Sequence, residues 1–189
     1  MPRAGLTTAR VVQEAEDVAD EVGLANLTLT AIAPRLGVRM PSLYKHVAGM
    51  DALRRLVTIQ ATREMADLFA RAAAGKSEAD ALTAIAHAWR EWATLHPGRY
   101  AATVRAPEHD DTEHTAAATD ALQIVLAMLS GYALRGDDAI DAARAFRSTV
   151  HGFITLEHEG AFGLPVDVDR SFDRLVAGLS DTLRGWVLN

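Results

Sequence analysis

The chain contains no cysteine among its 189 residues. That absence excludes a disulfide framework, thiolate catalysis and cysteine-ligated zinc. No stretch approaches the ~18 consecutive apolar residues of a membrane span. The opening residues, Met1 to Thr8, lack the apolar run of a secretory signal. A cytoplasmic protein with no membrane partner is therefore expected. No segment alternates apolar and polar residues for long, which argues against a sheet. A glycine-rich phosphate loop, a nucleophile elbow and an HExxH pair are all missing. The run Glu108-His109-Asp110-Asp111-Thr112-Glu113-His114 is dense in oxygen and nitrogen donors but lacks a helical metal-binding pair, and it reads as a solvated loop. Neither a metal nor a cofactor is expected, and no internal repeat or low-complexity tract is present.

What the chain does have is helical periodicity. Its 49% apolar and 23% charged residues make an ordinary globular composition, long enough for one large domain or two small ones. Thr7 or Thr8 can cap a first helix reaching about Val22, with Val11, Val12, Ala15, Val18, Ala19 and Val22 on one face and Gly23 as its stop. Thr28 or Thr30 caps the next helix. Pro34 keeps that helix short or bent, because an interior proline costs about 3 kcal/mol. Pro41 suits the first position of a third helix. A fourth opens near Asp51, whose carboxylate favours a helix N-terminus, and runs through Leu53, Leu56, Val57, Leu68 and Phe69 toward Ala74. The spacing predicts further helices over 78–96, briefly over 99–106, then over 115–131, 137–159 and 169–187, with 107–114 as a loop. The expected fold is all-α, with about nine helices.

Residues 27–57 carry the strongest functional signal. They read as a helix, a turn at Gly37, and a second short helix opening at Pro41 that exposes Ser42, Lys45 and His46. Two small helices joined by a short glycine-containing turn form a helix-turn-helix, whose second helix enters the DNA major groove. Residues 28–60 hold Arg35, Arg39, Lys45, Arg54 and Arg55 against Asp51 alone, whereas the whole chain carries a net charge of −6. A local basic patch on an acidic protein is the footprint of phosphate neutralisation. Arg39, Met40 and Ser42 lie where base edges are reached; by geometry arginine favours guanine and an apolar tip the thymine methyl. Thr28 either caps its helix or donates to a phosphate, and both can hold. Arg3 and Arg10 could reach phosphates from an N-terminal arm. Ile32, Leu36, Val38 and Leu43 are read as core.

These features resemble the tetracycline-repressor (TetR) family of transcriptional regulators. The resemblance rests on Gly23, Leu27-Thr28, Ile32-Ala33, Leu36-Gly37-Val38, Pro41-Ser42-Leu43-Tyr44-Lys45-His46-Val47 and Leu53. His96-Pro97-Gly98-Arg99-Tyr100, and Val150-His151-Gly152-Phe153 through Leu156-Glu157 to Gly160-Ala161-Phe162, are similar to C-terminal signatures of these regulators. The resemblance implies a helix-turn-helix DNA-binding domain over 1–50, a connecting helix four over 51–74, and a ligand-binding and dimerisation domain over 75–189. It implies DNA contact by Thr28, Arg39, Met40, Pro41, Ser42, Tyr44, Lys45 and His46, with Tyr44 on a phosphate. Met50 stands where the family commonly has a phosphate-binding lysine. A ligand-responsive repressor is implied, although the residues themselves leave the sign of regulation open.

In the C-terminal part, Trp89, Trp92, Tyr100, Met128, Tyr132, Phe146 and His151 are candidates to line an apolar pocket with a few polar groups for a small-molecule effector. The apolar faces of the last two helices, with Phe146, Val150, Phe153, Phe172, Leu175, Leu179 and Leu183, suit a four-helix bundle with a second copy. A homodimer reading a pseudo-palindromic operator in double-stranded DNA follows. Two other readings compete with it. One is an all-helical enzyme using His151 and Glu157 in acid–base chemistry. The other is a DNA-binding module without sequence preference.

Overall fold

The computed structural model describes residues 5–186, which form nine α-helices, one 3-10 turn and no strand. They pack as two compact units, one from the N-terminal 63 residues with 95–117, the other from 64–94 with 118 onward.

The first unit opens with α1 (Thr8–Val22). Thr7 caps it by accepting the Arg10 N–H at 3.2 Å, and Gly23, at φ 84°, ends it. Its stripe of Val11, Val12, Ala15, Val18 and Ala19 is buried, but Val22, expected on that face, is 45% exposed. A 3-10 turn (Leu24–Asn26), not anticipated from the sequence, leads to buried Leu27. Helix α2 (Leu29–Arg35) takes Thr28 as its cap, the hydroxyl accepting the Ala31 N–H at 3.2 Å. That choice places Pro34 inside the helix. The helix is only seven residues long, so the missing N–H removes one bond near its end, and the expected short helix results. Gly37, at φ 65°, supplies the left-handed turn into α3 (Met40–Leu43). Pro41 occupies its second position rather than the expected first, because Met40 already has helical geometry. Either place lies among the four N–H groups with no partner within the helix.

Helix α4 (Met50–Ala73) is unbroken, and α6 (Pro97–Ala102) begins two residues earlier than expected because Pro97 opens it. Val11, Ala15, Leu27, Ile32, Leu43, Leu53 and Val57, each without solvent exposure, make the core of the first unit. The second unit contains α5 (Glu78–Leu95), the greater part of α7 (Thr112–Ser130), α8 (Gly136–His158) and α9 (Val168–Trp186). Its core includes Leu82, Ile85, Leu129, Phe146, Val150, Phe172 and Leu183. Trp89 meets Phe69 edge-on at 5.2 Å and Phe146 at 6.0 Å between ring centroids. Among the described residues, no helix is long and apolar enough to cross a membrane, and no group of three or more histidines and carboxylates is placed to hold a metal ion.

Candidate nucleic-acid interface

The helix-turn-helix is anchored from beneath and open above. Leu43 is fully buried and Val47 is 4% exposed, so the short α3 and the turn after it are fixed to the core by two side chains four apart. The backbone closes the turn through His46 N–H and Val47 N–H, both donating to the Leu43 carbonyl at 2.8 and 3.0 Å. Thr8, at the start of α1, donates its hydroxyl to the His46 carbonyl at 3.2 Å and ties the end of the reading segment to the first helix. What remains outward is the candidate surface. Tyr44 is 58% exposed. Thr28, Arg39, Pro41 and Lys45 are exposed, while Met40, Ser42 and His46 are half-buried. All eight sequence candidates thus keep some access to solvent.

The electrostatics differ from a simple count of charges. Arg35 is held by Glu14 at 2.5 Å and Glu21 at 2.6 Å. Arg55 binds Asp111 through two bonds of 2.5 and 2.6 Å and also reaches Glu113 at 3.3 Å. These two arginines belong to internal ion pairs, and the basic patch read from the sequence shrinks accordingly. Among the described residues, Arg39 and Lys45 engage no carboxylate. Arg10 pairs with Glu14 at 3.3 Å; Arg3 lies outside the described residues. Part of this was legible: Glu14 and Glu21 stand seven apart, on one face of α1, but Asp111 is 56 residues from Arg55.

The His96-to-Tyr100 signature has a structural meaning within the first unit. Gly98 lies so close to α1 that a Cβ there would meet the Ala19 carbonyl carbon and oxygen at 2.1 Å. Asp20 then accepts the Arg99 backbone N–H at 2.9 Å and lies 3.0 Å from His96 Nδ1, while the Arg99 guanidinium reaches Asp17 at 2.6 Å. Tyr100, also a candidate for an effector pocket, is buried on α6 in this first unit.

The remaining pocket candidates lie in the second unit. Trp89, Met128, Tyr132 and Phe146 are buried, and Trp92 and His151 are half-buried. Tyr132 shares a hydrogen bond of 2.7 Å with Ser180, and burial pushes its phenol above the ordinary value. Burial first, and Arg147 second, hold the His151 imidazole below its ordinary value, which favours the neutral form. Met128 also lines a cleft of about 350 Å³ with Ala70, Ala73, Ala81 and Ile124. Of the expected self-association residues, Phe146, Val150, Phe172 and Leu183 are 0–1% exposed. They belong to the protomer's own core and cannot form a free face; Phe153, Leu175 and Leu179 keep partial exposure. Glu157, the carboxylate of the enzyme reading, is gripped by Arg90 through bonds of 2.7 and 2.5 Å, which opposes a role in proton transfer.

Comparison with known proteins shows what the chain is similar to. Residues 82–179 match the tetracyclin repressor-like C-terminal domain. The chain is 39% identical over 178 residues to the HTH-type transcriptional regulator Rv0681 of Mycobacterium tuberculosis, covering 94% of this chain and 81% of the relative. It superposes on the crystal structure of the regulatory protein SCO4313 with a TM-score of 0.73 at 27% identity, covering 91% of this chain and 94% of that one. It also shares the fold of the TetR-Q116A protein of Acinetobacter baumannii, solved in complex with minocycline, with a TM-score of 0.68 at 21% identity and coverage of 96% and 97%.

Proposed function

Because the chain belongs to the tetracycline-repressor family of helix-turn-helix transcriptional regulators, we propose that it is a ligand-responsive repressor that binds a palindromic operator as a homodimer. The observation that carries this reading is the α3 segment, buried by Leu43 and Val47 and presenting Tyr44, Lys45 and Arg39 outward. In this reading Arg39, Met40, Pro41 and Ser42 approach base edges, and Thr28, Tyr44, Lys45 and His46 meet the sugar-phosphate backbone. Residues 1–50 read DNA, 51–74 connect, and 75–189 bind the effector and the second copy. This is a division of labour rather than of packing, since residues 95–117 belong to the first compact unit.

A single short reading helix contacts few base pairs, so affinity and specificity require two copies on two half-sites. The self-association face is formed by Phe153, Leu175 and Leu179, with Leu156 and Trp186, which are 50% and 38% exposed. Trp89, Trp92, Met128, Tyr132, Phe146 and His151 line the effector site, and its mixture of aromatic, thioether and neutral imidazole groups favours a largely apolar effector. The effector acts by preferring one of two states of the dimer, and release from DNA follows from that preference.

The test begins with fragments of the source genome selected on the full chain, followed by footprinting in excess random competitor DNA. A sequence-reading dimer protects two segments related by a dyad, about one helical turn or a multiple apart. Protection spread evenly over the fragment would instead identify a backbone binder and remove the operator from the account.

A further inference from the structure

The junction between α8 and α9 is held by a residue of α5. Arg90 forms two bonds with Glu157, in the last turn of α8, and a third of 2.8 Å with Asp169, in the first turn of α9. Its guanidinium lies over the faces of Phe172 and Phe153, at 4.9 and 5.5 Å from the ring centres, and those two rings lie 4.9 Å apart. The side chain retains 14% exposure, whereas the connecting residues 159–167 are exposed throughout. Only Phe162, 4.8 Å from Phe153, stacks on a helix residue from this connection among the ring contacts described. A carboxylate at a helix C-terminus is disfavoured by the helix dipole, so Glu157 needs the cation that Arg90 supplies. The planar guanidinium fork fixes direction as well as distance, which a lysine ammonium does not.

We infer that Arg90 is the positioning residue of the self-association face: one guanidinium sets the angle at which α8 and α9 leave their connecting segment. Phe153 of that face lies in the same cluster, and Leu156 precedes Glu157 directly. The inference rests on the reading of α8 and α9 as the face that meets a second copy.

The decisive variant is Arg90→Met combined with Glu157→Leu. It keeps apolar bulk and leaves neither member of the pair buried alone, a replacement that is often neutral for folding; Asp169 is 81% exposed and remains hydrated. Sedimentation equilibrium on the full chain should show self-association at least tenfold weaker than in the wild type, with helicity unchanged by far-ultraviolet circular dichroism. Arg90→Lys, which keeps the charge but loses the fork, should shift association in the same direction. Wild-type dimerisation by both variants would overturn the inference and leave Arg90 an ordinary structural ion pair. A wild-type chain that stays monomeric at micromolar concentration would instead remove the dimer reading itself.

Discussion

Asp111 shows how one side chain can serve two elements. Its carboxylate accepts both Arg55 bonds from α4, and the backbone N–H of His114 at 3.0 Å in the first turn of α7. The Arg55 hydrogen bond first, then the His114 N–H, hold its pKa down at about 2. The unfolded chain, with an ordinary aspartate near ~3.9, therefore binds the proton more readily than the folded chain across the interval between these values. The contribution of Asp111 is complete above that interval and is lost as the pH falls through it. Asp111→Asn should reduce the wild-type drop in urea midpoint between about pH 4 and pH 2; an undiminished acid slope would show that Asp111 is not the group responsible. From the sequence alone, 108–114 reads as solvated loop, because its partners are far away along the chain. Local spacing shows carboxylates but not that an arginine on α4 folds back to meet them. The same limit inflates the basic patch, since a count of charges cannot show that Arg35 and Arg55 are paired within the protein. The outward placement of Lys45 was legible from helical spacing; Ser42 and His46, expected exposed beside it, are half-buried, and a surface role for Tyr44 was implied by the family resemblance alone.

Between elements, α6 approaches α1 closely at Gly98. Here the glycine matters for space and not for backbone freedom: a Cβ on residue 98 would meet Ala19 backbone atoms at 2.1 Å and the Asp20 nitrogen at 2.6 Å. Backbone cannot rotate away as a flexible side chain can, so Gly98→Ala must push the helices apart and loosen the bonds from Asp20 to Arg99 and His96. Overpacking of this kind costs about 1–3 kcal/mol, which should appear as a lower urea midpoint at unchanged m-value. Equal stability of the alanine variant would mean that α6 is not seated as described. Helix boundaries were most legible where amphipathic spacing was strong and a capping threonine or stop glycine marked the end, as in α1. The start of α6 is hidden in the sequence because His96-Pro97-Gly98 reads as the stop of α5, although proline opens a helix as readily as it follows one. The apolar stripes of α8 and α9 were visible too. Periodicity does not divide such a stripe between the protomer's own core and a partner, and Phe146, Val150, Phe172 and Leu183 went to the former.

At the scale of the whole molecule, a chain of net charge −6 must bind a polyanion through a small number of cations. The internal pairs of Arg35 and Arg55 make that number smaller still, and in the proposed reading leave Lys45 as the phosphate-facing cation of the α3 segment. Affinity for an operator should then fall with salt in proportion to the few phosphates neutralised, and each lost contact should be countable. In a homodimer every substitution occurs twice. Lys45→Ala should therefore lower the steepness of log affinity against log salt by about 1.8, two contacts at ~0.9 each, whereas a monomer on one half-site would lose only ~0.9. The measurement is fluorescence anisotropy on the footprinted fragment over a range of potassium chloride concentrations. If Lys45 meets phosphate and not a base, the loss of affinity should also be uniform across operator variants. A wild-type salt slope in the variant would place Lys45 away from the phosphates. A loss confined to particular base pairs would make it a reader of sequence, and α3 would have to be rotated in the groove accordingly.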